Sequence, residues 1–143
     1  MSKASDEMKL VEEVLAGGDP ETVNEQSRNA LMLALKFADS DVIRALVNPV
    51  WDSGRLLRKG ANLLQTDAAG RSALFYAVER GDVEIVWVLL ESLRGTGIYC
   101  PRGTLLTIRD QEGHLAEDLA EQNGEMEIRD ILQRERYRID YFE

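Results

Sequence analysis

The sequence predicts an all-α fold, a solenoid of stacked antiparallel helix pairs with a capping helix at its N-terminal end. The first observation is a period of 43 residues, at which alanines and leucines recur: Ala30, Ala73 and Ala116; Ala34, Ala77 and Ala120; Leu46, Leu89 and Leu132. The second is a polar turn that begins each period, at 24–27, 67–70 and 110–113. A fixed period of this kind is typical of stacked repeats, each of which buries the apolar face of its neighbour.

The capping helix is expected within residues 5–23. Apolar side chains recur there at helical spacing, at Met8, Val11, Val14 and Leu15. Gly17 and Gly18 follow directly and favour the end of a helix. We expect this helix to cover the near end of the stack.

Three repeats follow, at 24–66, 67–109 and 110–143, and the last includes a C-terminal cap. In each repeat the polar turn leads into a short helix, a tight turn and a second helix. First helices are predicted at 29–37, 72–80 and 115–123, and second helices at 41–47, 83–93 and 126–136. In the middle repeat Leu74, Ala77 and Val78 share one helical face, which indicates the buried side. Residues 1–143 are therefore interpreted as one domain.

In the middle repeat, 67–90, Asp67 and Gly70 stand at the turn, Ser72-Ala73-Leu74 begins the first helix, and Gly81 lies between the helices. This pattern resembles an ankyrin repeat, in which Thr-Pro-Leu is usual at the position of Ser72-Ala73-Leu74. The first repeat departs from the pattern, since Ser27 and Ala38 replace the turn glycine and the inter-helix glycine.

The period itself also departs from that family, in which about 33 residues are usual. The roughly ten additional residues fall after each second helix, as inserts at 48–57 and 91–100. One insert carries Trp51 and the other Tyr99. Each aromatic residue could anchor a partner or hold its insert against the stack.

Composition limits the classes of partner. The 143 residues carry 26 acidic and 17 basic side chains, a formal net charge of −9. An acidic surface repels phosphate backbones, which argues against nucleic acid as a partner. The acidic charge either favours a basic partner protein or serves only to keep the protein soluble. Cys100 is the single cysteine, which fits a reducing compartment. No signal-like or membrane-spanning apolar segment is found, so we expect a cytoplasmic protein that does not bind membranes.

Catalytic chemistry has little support in the sequence. The single histidine, His114, lies in no known nucleophile motif, and Cys100 has no second cysteine for a zinc site. Acidic residues such as Glu125 and Glu127 lack the spacing of a calcium loop. We therefore predict no enzyme activity, no catalytic residues, no metal and no cofactor.

The resemblance implies that a partner protein contacts the exposed face of the first helices and the turn tips. By position, the binding residues are Arg28, Met32, Lys36, Phe37, Arg71, Phe75, Glu79, Arg80 and His114, with Trp51 and Tyr99 added from the inserts. Met32, Phe37 and Phe75 would form an apolar centre ringed by cations, a composition common in binding hot spots. The alternative is that Met32 and Phe75 pack between helices.

Trp87 lies on the second helix of the middle repeat, where the equivalent residues are Arg44 and Asp130. This alternation indicates an outward or half-covered position, at which packing is the expected role.

The predicted function is a protein-binding module. A dedicated inhibitor or immunity protein of one basic partner is one version, and an adaptor that bridges two proteins is the other.

Overall fold

The computed structural model describes residues 3–19, 22–25, 27–48, 50–58, 63–91 and 105–142. The helices within these ranges are α1 (Lys3–Leu15), α2 (Ala30–Phe37), α3 (Ser40–Val47), α4 (Ala73–Arg80), α5 (Val83–Glu91), α6 (Ala116–Gln122) and α7 (Met126–Phe142). A hairpin of β1 (Val50–Asp52) and β2 (Arg55–Arg58) follows α3.

The helices form two layers. The first helices α2, α4 and α6 contact one another in order, and the second helices α3, α5 and α7 form the other layer. Helix α1 packs on α2 and also contacts α3, so it covers the near end of the stack. This architecture confirms the predicted all-α solenoid.

The recurring alanines and leucines form the core. All six alanines and all three leucines of the 43-residue register are at most 2% exposed. Alanine allows neighbouring helices to approach closely, while each leucine fills the space between the two layers. The period in the sequence is therefore the period of the core.

The polar turns share one hydrogen-bonding pattern. Asp67 Oδ1 accepts from the backbone amides of Ala69 and Arg71 at 2.8 and 3.0 Å. Asp110 Oδ1 does the same for the two equivalent amides of the third repeat, at 2.9 Å each. The fourth turn position has a positive φ in every repeat, of 60° at Ser27, 78° at Gly70 and 85° at Gly113.

The last second helix is longer than predicted. Helix α7 continues to Phe142 rather than ending near residue 136. Glu117 of α6 is buried at a position where the other two repeats have Leu31 and Leu74. Its carboxylate accepts from Arg136 of α7 at 2.5 and 3.2 Å. This ion pair holds α7 against α6 at the point where the predicted helix ends, and the helix continues beyond it.

The first insert contains a β-hairpin, which the sequence analysis did not predict. Its strands pair antiparallel, with Trp51 opposite Leu56. Ser53 and Gly54 form the turn with φ of 51° and 81°, the positive values that a tight two-residue hairpin turn requires. In the second insert Glu91 is the last residue of α5, and the rest, including Tyr99, lies outside the described residues.

Candidate binding surface

Two of the predicted binding residues belong to the core. Met32 is 0% exposed and Phe75 is 1% exposed. The reason is the stacking itself, because α2 lies between α1 and α4, and α4 lies between α2 and α6. Residues 30–35 and 73–78 are consequently buried almost all round each helix. The prediction of an exposed apolar centre at Met32 and Phe75 is wrong.

The exposed part of this face lies at the C-terminal ends of α2 and α4. Phe37 is 39% exposed, and the Lys36 ammonium lies 5.5 Å from the centroid of its ring. Lys36 also borders a cavity of about 230 Å³, whose other lining residues are Leu35, Tyr76, Glu79 and Arg80. We call Lys36, Phe37, Glu79 and Arg80 the first-helix surface.

Arg28 joins the first two repeats through a tyrosine. Its Nε donates to the Tyr76 hydroxyl at 2.9 Å, and that hydroxyl donates to the Asp67 carboxylate. Burial raises the pKa of the Tyr76 phenol, and the Asp67 carboxylate raises it further. The phenol therefore stays protonated. Its two hydrogen bonds link Arg28 of the first repeat to Asp67 of the second.

Arg71 makes the equivalent contact directly. Its guanidinium lies 3.6 Å from Asp110 Oδ2 and donates to Glu79 at 2.7 Å. Burial by itself would raise the pKa of Asp110, but the amides of His114 and Glu112, with the nearby Arg71 charge, hold that pKa below its usual value. Arg71 thus holds Glu79 in place at the edge of the first-helix surface.

Arg80 has a structural contact that the sequence analysis missed. Its Nη1 donates to two backbone carbonyls at the end of α2, Leu35 at 3.1 Å and Ala38 at 2.6 Å. Carbonyls at a helix end have no partner within the helix, and basic side chains can satisfy them. Ala38 replaces the usual inter-helix glycine. This replacement was the signal in the sequence that another residue must donate hydrogen bonds to the carbonyls at this helix end.

His114 directly follows the third turn and lies outside the residues of the first-helix surface. Its Nδ1 is 3.6 Å from the Glu112 carboxylate, and its side chain is 42% exposed. Asp110, Glu112 and His114 could together offer ligand atoms to a cation, since these atoms lie within 4.8 Å of one another. Asp110 Oδ1, however, already accepts the two amides that shape the turn.

The second-helix layer carries a larger groove, which the sequence analysis did not predict. It has a volume of about 500 Å³ and is lined, among the described residues, by Arg44, Asn48, Glu84, Trp87, Val88 and Glu91. We call it the α3–α5 groove. Trp51, predicted either to anchor a partner or to hold the first insert against the stack, lies in β1, and Tyr99 lies outside the described ranges.

The periodic turns, the helix pairs and their stacking are those of a known family. A family model described as ankyrin repeats (3 copies) matches residues 1–102. The chain belongs to the ankyrin repeat family. A search of the curated proteins found no match. The match ends before the third turn, yet residues 110–142 of this ankyrin repeat protein repeat the turn geometry and helix pairing of the second repeat.

Ankyrin repeats are protein–protein interaction modules, and the family is generally not enzymatic. This agrees with the predicted class of function, a protein-binding module. Among the described residues, no helix is both long and apolar enough to cross a membrane.

Proposed function

We propose that this ankyrin repeat protein binds another protein through its first-helix surface and turn tips. The observation that carries the proposal is a concave site of about 230 Å³ lined in part by Lys36 and Arg80, with the exposed Phe37 directly after Lys36 at the end of α2. Aromatic side chains and arginine are enriched in binding hot spots. Arg28, Arg71 and His114 occupy equivalent positions directly after the three polar turns.

The proposed mechanism is occupancy of a preformed surface, with no catalytic step. The Arg28–Tyr76–Asp67 contacts and the Arg71–Asp110 contact link consecutive repeats. Arg80 in addition fixes the end of α2, on which Phe37 is carried. A surface held in this way loses little conformational entropy on binding.

The net charge of −9 supports a basic partner and a dedicated inhibitor or immunity protein that blocks it one to one. An adaptor is the second candidate, and one observation favours it. The cavity lined by Lys36 and Arg80 belongs to the first helices, while the α3–α5 groove belongs to the second helices. Two separate concave sites could engage two proteins at once.

Affinity capture from the native lysate, followed by mass spectrometry, tests the proposed surface. The unmodified protein is compared with a Lys36→Ala/Phe37→Ala variant. A Met126→Ala/Glu127→Ala variant is the matched control, because Met126 is also an exposed apolar residue beside a charged one. A partner lost only with the first variant supports the proposal.

A partner that all three proteins retain would place the binding site elsewhere.

The mass of the purified complex distinguishes the two versions of the function, inhibitor and adaptor. An inhibitor gives a one-to-one complex whose association slows with added salt. An adaptor gives a ternary complex with both partners present.

A further inference from the structure

One wall of the α3–α5 groove is formed by apolar and acidic residues of α5. Glu84, Trp87, Val88 and Glu91 follow the spacing i, i+3, i+4 and i+7, which places them on one face of α5. Trp87 and Val88 are half-buried and pack against the core. They provide a fixed apolar floor between two carboxylates.

The facing wall comes from α3. Arg44 and Asn48 are four residues apart and therefore share a face of that helix and its end. The Arg44 guanidinium pairs with the Glu84 carboxylate across the groove. This pair joins the two walls, and the Glu84 side chain is still 68% exposed.

The sign of charge in the groove favours a cation. Its described lining residues include two carboxylates and one guanidinium, and the whole chain carries a net charge of −9. The indole face of tryptophan is the aromatic surface that attracts cations most strongly. Lysine and arginine side chains also have aliphatic stems that cover apolar surface while their charged ends stay in a polar setting.

The tryptophan that forms the apolar floor does not recur at the 43-residue period. The residues that correspond to Trp87 in the other repeats are Arg44 and Asp130. Neither offers an apolar floor, so the 43-residue repeat does not reproduce the site. A feature that the repeated core does not require is a candidate for recognition.

We propose that the α3–α5 groove binds an arginine or lysine side chain from a basic segment of the partner protein. The aliphatic stem lies on Trp87 and Val88, and the charged end lies between Glu84 and Glu91. This assignment rests on the proposed protein-binding function and adds the chemistry of the partner to it.

The experiment uses two single-tryptophan proteins. The Trp51→Phe variant reports fluorescence from Trp87 alone, and the Trp87→Phe variant reports from Trp51 alone. Each is titrated at low ionic strength with an acetylated tetra-arginine amide. The isosteric neutral peptide, tetra-citrulline, is the control ligand. We expect a saturable change in Trp87 emission with the arginine peptide only, and no change in Trp51 emission.

A pair of charge variants tests where the peptide binds. In the Trp51→Phe background, Glu84→Gln/Glu91→Gln should weaken binding by on the order of tenfold, because a charge-paired contact is lost. Glu127→Gln/Asp130→Asn removes the same charge from another second helix, α7, and should weaken binding about twofold or less.

Several results would overturn the assignment. These are no response from Trp87, a response only from Trp51, an equal response to tetra-citrulline, or equal weakening by the two charge variants. A Trp87 signal that depends on protein concentration without peptide would identify a second copy of this chain as the occupant instead.

The groove assignment and the proposal for the first-helix surface can be contradicted independently of each other. If the peptide does not bind but the lysate partner still depends on Phe37, only the groove assignment fails. If the peptide binds but no captured protein depends on Lys36 or Phe37, the first-helix proposal fails and the groove assignment stands.

Discussion

The first and second repeats end their first helices with different residues. Helix α4 is followed by Gly81 at φ 74°, whose amide donates to Ala77 and Val78 oxygens at 3.2 and 3.0 Å. Helix α2 is followed by Ala38 in an extended conformation, with φ −109°. The guanidinium of Arg80, 42 residues further along the chain, reaches the Ala38 oxygen.

The turns of the first two repeats also differ in the residues that form them. The second repeat has Gly70 at the positive φ, and its Arg71 contacts Asp110 directly. The first repeat has Ser27 there, and its Arg28 contacts Asp67 through Tyr76. At the turns each repeat thus contacts the next one, whereas at the helix end only the first repeat depends on a side chain of its neighbour. We infer that the end of α2 requires the second repeat to be stable, whereas the end of α4 is formed by its own Gly81.

The largest expected effect comes from Arg80→Ala. This change leaves the carbonyls at the end of α2 without the guanidinium, and we expect a loss of about 2–3 kcal/mol in the free energy of unfolding. Urea denaturation measures it. Arg44→Ala is the control, because its exposed pair with Glu84 should contribute less than about 1 kcal/mol. Equal losses would contradict the importance of the helix-end contact.

Adding Ala38→Gly to Arg80→Ala sharpens that test. Glycine can adopt the left-handed conformation that ends α4, so we expect the double variant to regain part of the lost stability. No recovery would mean that a local glycine cannot replace the distant arginine at this helix end.

Gly81→Ala should cost about 1–2 kcal/mol, because alanine is strained at a positive φ. An added Cβ would also lie 2.8 Å from Glu125 Oε1. Gly124→Ala is the matched control, since its φ is 75° and an added Cβ meets nothing within 4 Å. Thermal or urea unfolding of both variants separates backbone strain from the contact with Glu125. A neutral Gly81→Ala would contradict the local role assigned to this residue.

Asp110→Asn should have a smaller, pH-dependent effect. The lowered pKa of Asp110 means that its carboxylate stabilises the folded state above the ordinary aspartate pKa of about 3.9 and stops doing so as the pH falls below it. At pH 7 we expect a loss of roughly 0.5–1 kcal/mol, because asparagine keeps the acceptor for the turn amides. Unfolding measured from neutral to acid pH should show the difference disappear. A constant difference would exclude a role for the charge.

Ser27→Gly should give the smallest change, a gain of about 0.5 kcal/mol, because glycine adopts a φ of 60° without strain. The reverse change in the second repeat is not symmetric. A Cβ at Gly70 would lie 3.1 Å from the Gln111 backbone nitrogen, so Gly70→Ser should be clearly destabilising. Calorimetric melting temperatures of the two variants test this, and a destabilising Ser27→Gly would show that the serine side chain has a role of its own.

The sequence alone determined the repeat, the turns and the helix pairs. These features depend on contacts within a few residues, or on residues that recur at a fixed period, so they can be recognised without knowing how the repeats are arranged. Asp67 with Gly70 is one example, and the alignment of Ala30, Ala73 and Ala116 is another. The fold class follows from such local rules.

Only the tertiary structure decided which first-helix residues remain exposed. Met32 and Phe75 occupy positions that a single helix pair would expose, but neighbours on both sides bury them. The contact of Arg80 with α2 and the closeness of Arg44 to Glu84 join residues 40 or more positions apart. Such contacts depend on how consecutive repeats stack, which is a property of the assembled layers and not of any one segment.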